Sequence, residues 1–359
     1  MKKLVPMTIS AQISTVVTLA LLASLNSLSC KKKEVSEKEA TVAVDAPVDA
    51  VAQGVIDELG TNLTSASLRL TNTGALADSD ISAVKDAAIA NIVKAELQAS
   101  QDLIKLLPEI IKGAEGALAT IGPADSEAKI LIVNAIVESI VGSLNGRHEF
   151  LSAASVTPDS TAEATVLEAI AKTSVGELDE AGIADAAMAT ATEGVTDAAV
   201  GALGKSGSTS AELEDLIGAV ATGGITGLGD IEVTDYDATK LASYATAVAA
   251  GATTGLGNIT LEGYSVDNLP NMASVITGKA TGALGGIKLD FADSAGLATM
   301  IGSITGGAMG ALGNISMSGF DAAKLTSMAE AITGGATGAL GKITMSGYDS
   351  SQLTKMASA

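Results

Sequence analysis

The sequence predicts a mainly α, helical repeat solenoid: one helix of ~20 residues plus a short extended return segment in every 28 residues. Three observations carry this. Leu228, Leu256, Leu284, Leu312 and Leu340 recur without slippage, each inside a Gly/Ala-Leu-Gly context. Other columns keep the same period: Ile231, Ile259, Ile287, Ile315 and Ile343, then Leu241, Leu269, Leu297, Leu325 and Leu353. Tyr244, Met272, Met300, Met328 and Met356 form one more. Finally, aromatic residues are 2% of the chain although hydrophobic residues are 47%, so cores must be built from small and aliphatic side chains that let elements approach closely.

Each unit has a readable order. Asp237, Ser265, Asp293, Asp321 and Asp349 share one column before a helical pattern. Their side-chain oxygens suit an N-cap, accepting from a free first-turn amide. Tyr236, Tyr264, Ala292, Phe320 and Tyr348 precede them, and the Leu column follows four residues after the cap. That spacing is a hydrophobic staple, which accounts for the aromatics without a ligand. Leu325, Met328, Ile332, Ala336 and Leu340 then fall on one helical face. The Gly after each final Leu is a stop signal. GNITLEGY, GNISMSGF and GKITMSGY alternate apolar and polar residues, as extended chain does. A 20-residue helix rises ~30 Å and eight extended residues return ~27 Å, so the unit closes. The alternative is an α/β solenoid in which these segments pair into a parallel sheet of short strands.

Upstream, the theme is degenerate. Leu203 and Leu178 step back by 25 residues, and Leu144 and Leu118 resemble older copies. Thr209 and Glu212 fit a capping box. Pro108 is expected to kink or end a helix. Residues 128–144 are apolar nearly all round, which predicts a central buried helix. Residues 48–215 therefore read as an acidic helical region with degenerate repeats, and residues 216–359 as the regular array. Residues 30–215 carry 30 acidic against 13 basic side chains, whereas residues 216–359 carry 11 against 6.

The first 29 residues read as an address. Lys2 and Lys3 precede an apolar run from Ile13 to Leu25, and Ser27-Leu28-Ser29-Cys30 follows. The only cysteine of the chain stands at this boundary. The segment resembles the signal of bacterial lipoproteins, in the looser form found in spirochaetes. It departs from the usual pattern in having Ser27, not Leu, three residues before the cysteine. The resemblance implies diacylation of Cys30, which would become the mature N-terminus, and a membrane-anchored protein of the bacterial cell envelope. It leaves open the periplasmic side of the outer membrane or the surface. Ordinary secretion is the alternative, because Ser27 and Ser29 also fit a small-x-small cleavage rule. Residues 30–47 are charged, lack aromatics and include Pro47, as expected of a lipidated tether.

Composition excludes several functions. A net charge of −20 leaves no basic field for a phosphate backbone, so no nucleic-acid partner is expected. One Cys and one His cannot make a disulfide framework or a Cys/His metal cluster. Ala199 to Ser206 matches a permissive phosphate-loop pattern, but a helix precedes it and GALGK is the repeat's terminal column. His148 has Glu149 beside it, but adjacency in a loop is not the oriented geometry a triad needs, so it reads as a surface-loop histidine. Asp78 with Asp80 and Asp179 with Glu180 read as helix-end acids rather than a catalytic pair. No catalytic residue, cofactor or metal is expected.

Gly302, Gly306 and Gly310 form a Gly-x-x-x-Gly series, as do Gly278 with Gly282, Gly334 with Gly338, and Gly251 with Gly255. Such spacing lets helix backbones approach closely, in water-soluble arrays and in membranes. Glu232, Thr260, Lys288, Ser316 and Thr344 form a polar row along the return segments, with no aromatic anchor for a tight partner. The leading expectation is a non-enzymatic, lipid-anchored envelope scaffold that contacts the membrane through its anchor and some protein through its repeats. A membrane-active or pore-forming protein using the glycine-spaced helices is the alternative. A small-ligand binder or enzyme is the third.

Overall fold

The computed structural model describes residues 61, 79–86, 100–121, 126–144, 160–205, 210–232, 236–261, 263–287, 294–340 and 343. The signal segment, Cys30 and the tether lie outside the described residues, as do His148, Asp293 and Asp349. After a helical segment at 79–86, nine helices follow among the described residues. They are α1 Ser100–Ile121, α2 Ser126–Leu144, α3 Ser160–Gly176, α4 Asp185–Ala202, α5 Ser210–Gly227, α6 Ala238–Gly255, α7 Leu269–Ala283, α8 Ser294–Ala311 and α9 Ala322–Ala339. The protein is a mainly helical repeat solenoid, and no strand occurs among the described residues.

Each helix packs chiefly on the helix two places away, not on its neighbour in sequence. The helices therefore form two rows, an odd row α1–α3–α5–α7–α9 and an even row α2–α4–α6–α8. Members of a row run parallel. Lys240 at the start of α6 pairs with Asp185 at the start of α4, at 2.9 Å, and Lys324 at the start of α9 pairs with Asp267 just before α7.

The links explain why no sheet forms. A tight turn of 3-10 helix at Leu256–Asn258, Leu284–Gly286 and Leu312–Asn314 ends α6, α7 and α8. Ile259, Ile287 and Ile315 are then extended. The chain next turns back on itself. Tyr264 N donates to Leu261 O and Phe320 N to Met317 O, with Gly263 and Gly319 at φ of 81° and 87°. Such left-handed positions in a turn suit glycine. Tyr236 Oη donates to Leu228 O at 2.7 Å, and Tyr264 Oη to Leu256 O at 2.9 Å. The start of each following helix is thus held beside the end of the preceding one. The link turns the chain instead of retracing the helix, and successive helices run in opposite senses. The turn that follows cuts each extended stretch short, so no ladder of strands forms among the described residues.

The core is continuous. Val137, Ile140, Ile170, Val195, Ile217, Val248, Ile276 and Ile304 belong to one cluster that runs through both rows. α2 is buried nearly all round, as its sequence predicts, with Leu131 as its one large exposed apolar residue. Pro108 does not end α1, which continues to Ile121.

Candidate functional site

The caps come first, because they set where each helix begins. Asp237 accepts from Thr239 N and Lys240 N at 2.9 and 2.8 Å, and Asp321 from Lys324 N at 3.0 Å. Ser265 departs from this column. α7 begins at Leu269, after Asn268, and Ser265 Oγ accepts instead from Asp267 N at 3.3 Å. Pro270 is the reason. It sits in the first turn and has no N–H to give to a carbonyl four residues earlier, so a helix starting at Ser265 would lose that bond, and the chain enters the helix later.

The aromatic column ties the links to the helix ends. Besides the bond to Leu228 O, Tyr236 stacks on Tyr244 with ring centroids 6.0 Å apart. Burial raises the pKa of Tyr236 and Tyr264 far above the ordinary phenol range.

Glycine positions decide how closely the rows close up. Counting back five residues from each final Leu gives Gly223, Gly251, Lys279, Gly307 and Gly335. Counting back ten gives Glu168, Glu193, Gly218, Thr246 and Ser274. A Cβ on Gly223 would overlap Glu168 O, one on Gly251 Glu193 O, one on Gly307 Thr246 O, and one on Gly335 Ser274 O. Four interfaces within the rows therefore share one contact, a bare glycine on a backbone carbonyl two repeats earlier. At α5–α7 the glycine has changed sides. Lys279 occupies the glycine column and Gly218 occupies its partner, with a Cβ on Gly218 falling 3.1 Å from Lys279 Cγ. This interface is less extensive than its four counterparts.

The break in the pattern borders a groove of about 670 Å3 along the odd row. Thr222, Ser274 and Lys279 line it with Glu168, and Gly278, Gly282, Gly334 and Gly338 make its floor. A Cβ at Gly282, Gly334 or Gly338 would meet nothing within 4 Å. These glycines leave helix backbone open to solvent. The groove can admit another chain at close range, with the exposed Lys279 and Glu168 available to charged groups.

The remaining sequence-predicted residues sort plainly. Of the Gly-x-x-x-Gly series, Gly251 with Gly255 is a packing device, the latter lying against Val200 and Asp197 O. Gly302, Gly306 and Gly310 face open space, contrary to the packing role expected of them. The sequence signal for the packing glycines was their register to the final Leu, not their four-residue spacing. The Gly after the final Leu is also no left-handed cap. Gly204 sits against Thr260 N and Ile259, and Gly229 against Ile287, so it lets links stack two repeats apart. Ala199 to Lys205 is thus the end of α4 and its 3-10 turn, with no preceding strand. Asp179 Oδ2 accepts from Glu232 N at 3.0 Å and Asp80 is buried in the 79–86 segment, while Asp78 lies outside the described residues. Among the described residues, no group of three or more His, Cys, Asp or Glu side chains is placed to hold a metal ion. No helix among them is long and apolar enough to cross a membrane. No family model matches this chain, and no curated protein matches it.

Proposed function

We propose that this protein is a non-enzymatic scaffold of the bacterial cell envelope, anchored by lipid on Cys30, that holds a protein partner in the groove beside Lys279. The observation that supports contact at this place is the open glycine floor. Glycine inside a helix costs roughly 0.5–1 kcal/mol against alanine, and Gly282, Gly334 and Gly338 have no intramolecular neighbour that requires it. A partner backbone that approaches closely supplies a reason. The SLSC boundary and the single cysteine support the anchor.

Two experiments test the two halves separately. Fatty-acid labelling in cells should mark the wild-type chain and not Cys30→Ser; label retained by Cys30→Ser refutes the anchor. A photo-cross-linking residue at position 279 should give a protein adduct in intact cells that the same residue at the exposed Ser243, on α6 of the other row, does not. Equal labelling from both positions refutes the groove.

A further inference from the structure

Glu115 lies in the buried stripe of α1, between Leu107, Ile111, Ala114 and Leu118. It is 2% exposed, and neither carboxyl oxygen meets a donor among the described residues. The described cations of α1, α2, α3 and the 79–86 segment are engaged elsewhere. Lys112, one turn earlier on α1, donates to Glu177 at 2.8 Å and also feels Glu109 and Glu180. Lys129 of α2 donates to Gly182 O at 2.9 Å, and Glu138 of α2 pairs with Lys85. Lys172 of α3 pairs with Asp230 at 3.1 Å. Facing Glu115 from the turn after α3 are two more carboxylates, Glu177 and Asp179, the second with its Oδ1 buried and unpartnered. Glu163 and Glu168 of α3 lie two or more turns before them in the sequence.

An ionised Glu115 would be a buried, unpaired charge beside two like charges. Such a charge is expensive, and the usual resolution is to bind a proton or to reach water. We propose that Glu115 makes the docking of α1 onto α3 proton-dependent: α1 seats when this carboxyl is neutral and loosens when it ionises. Loosening exposes the apolar stripe of Leu107, Ile110, Ile111 and Leu118 at the acidic end of the array.

Burial first, and then Glu177 and Asp179, hold the docked carboxyl well above the ordinary carboxylate range, against a smaller downward pull from Lys112. The sign follows. Docking has its full strength below the pKa of the undocked, ordinary carboxyl. It weakens as pH rises from there towards the docked value, with the opening constant growing up to about tenfold per pH unit, and is level above it.

Amide hydrogen exchange of the full chain, read by mass spectrometry at about pH 5 and about pH 8 and corrected for intrinsic rates, tests this. Protection of residues 107–118 should fall at least about tenfold at the higher pH, while α6 and α8 keep theirs. Glu115→Gln and Glu115→Leu should each hold α1 protection constant across the range. The α6 peptides report whether either variant has folded. Equal α1 protection at both pH values in the wild type overturns the proposal. So does a pH dependence that survives in both variants.

Discussion

Gly218 and Lys279 face each other across the α5–α7 interface with the roles of their columns exchanged. At four other interfaces in the rows the later helix supplies the glycine; here the earlier one does. The atoms a new Cβ would meet differ accordingly. At Gly251 the nearest is the Glu193 carbonyl, which cannot withdraw without moving helix α4, with the Thr196 hydroxyl beside it. At Gly218 they belong to the Val275 and Lys279 side chains, and Lys279 can swing aside. Gly251→Ala should therefore lose about 1–3 kcal/mol through overpacking, more than the helix propensity it gains. Gly218→Ala should stay within about 1 kcal/mol of the wild type. Urea midpoints decide it, and equal losses at the two sites would remove the idea that a backbone contact sets the row spacing.

The open glycines lead to the opposite expectation. Gly306, inside α8, and Gly310, one residue before its end, face empty space. Alanine there meets nothing and lowers the entropy of the unfolded chain. Each substitution should raise stability by about 0.5–1 kcal/mol. A loss at either site, measured by the same denaturation, would mean that α8 has a neighbour on this face.

The sequence made the unit legible and the stack only in part. The 28-residue columns placed helix ends within a few residues, and the caps Asp237 and Asp321 stand where their column put them. What a column states is which face a helix presents. It does not state which helix receives that face, so the pairing with the second-next helix was not readable. The turning link is a further case. Ile-x-Leu alternation correctly marks extended residues such as Ile259, yet it is blind to Tyr264 Oη reaching back to Leu256 O. That bond closes the link and reverses the chain. The Lys279 groove needed both lessons, since a lysine in a glycine column has meaning only when its partner, Gly218, is known.

Cap chemistry distinguishes two residues that the repeat treats as equivalent. Asp237 accepts two first-turn amides, whereas Ser265 serves a turn ahead of α7. Asp237→Ala should cost about 1 kcal/mol. Ser265→Ala should cost a few tenths at most, as a change outside a helix cap does. If Ser265→Ala proves the more damaging in thermal melts, the late start of α7 at Leu269 is wrong.

The tyrosines make alkaline stability a test of the closed links. Tyr236 and Tyr264 donate to Leu228 O and Leu256 O, and burial pushes both phenols up. A phenol whose folded pKa lies above its unfolded value stabilises the fold fully below about pH 10, and that contribution is lost as pH rises beyond it. Each tyrosine should lower stability by up to about 1.4 kcal/mol per pH unit there. Phenolate absorbance from these two rings should therefore appear together with the loss of helical circular dichroism, not before it. Tyr236→Phe with Tyr264→Phe should start from a fold weaker by about 1 kcal/mol per lost bond and show a flatter alkaline decline. If both rings ionise while the helices persist, the hydroxyls are open to solvent and cannot be what ties each helix end to the next helix start.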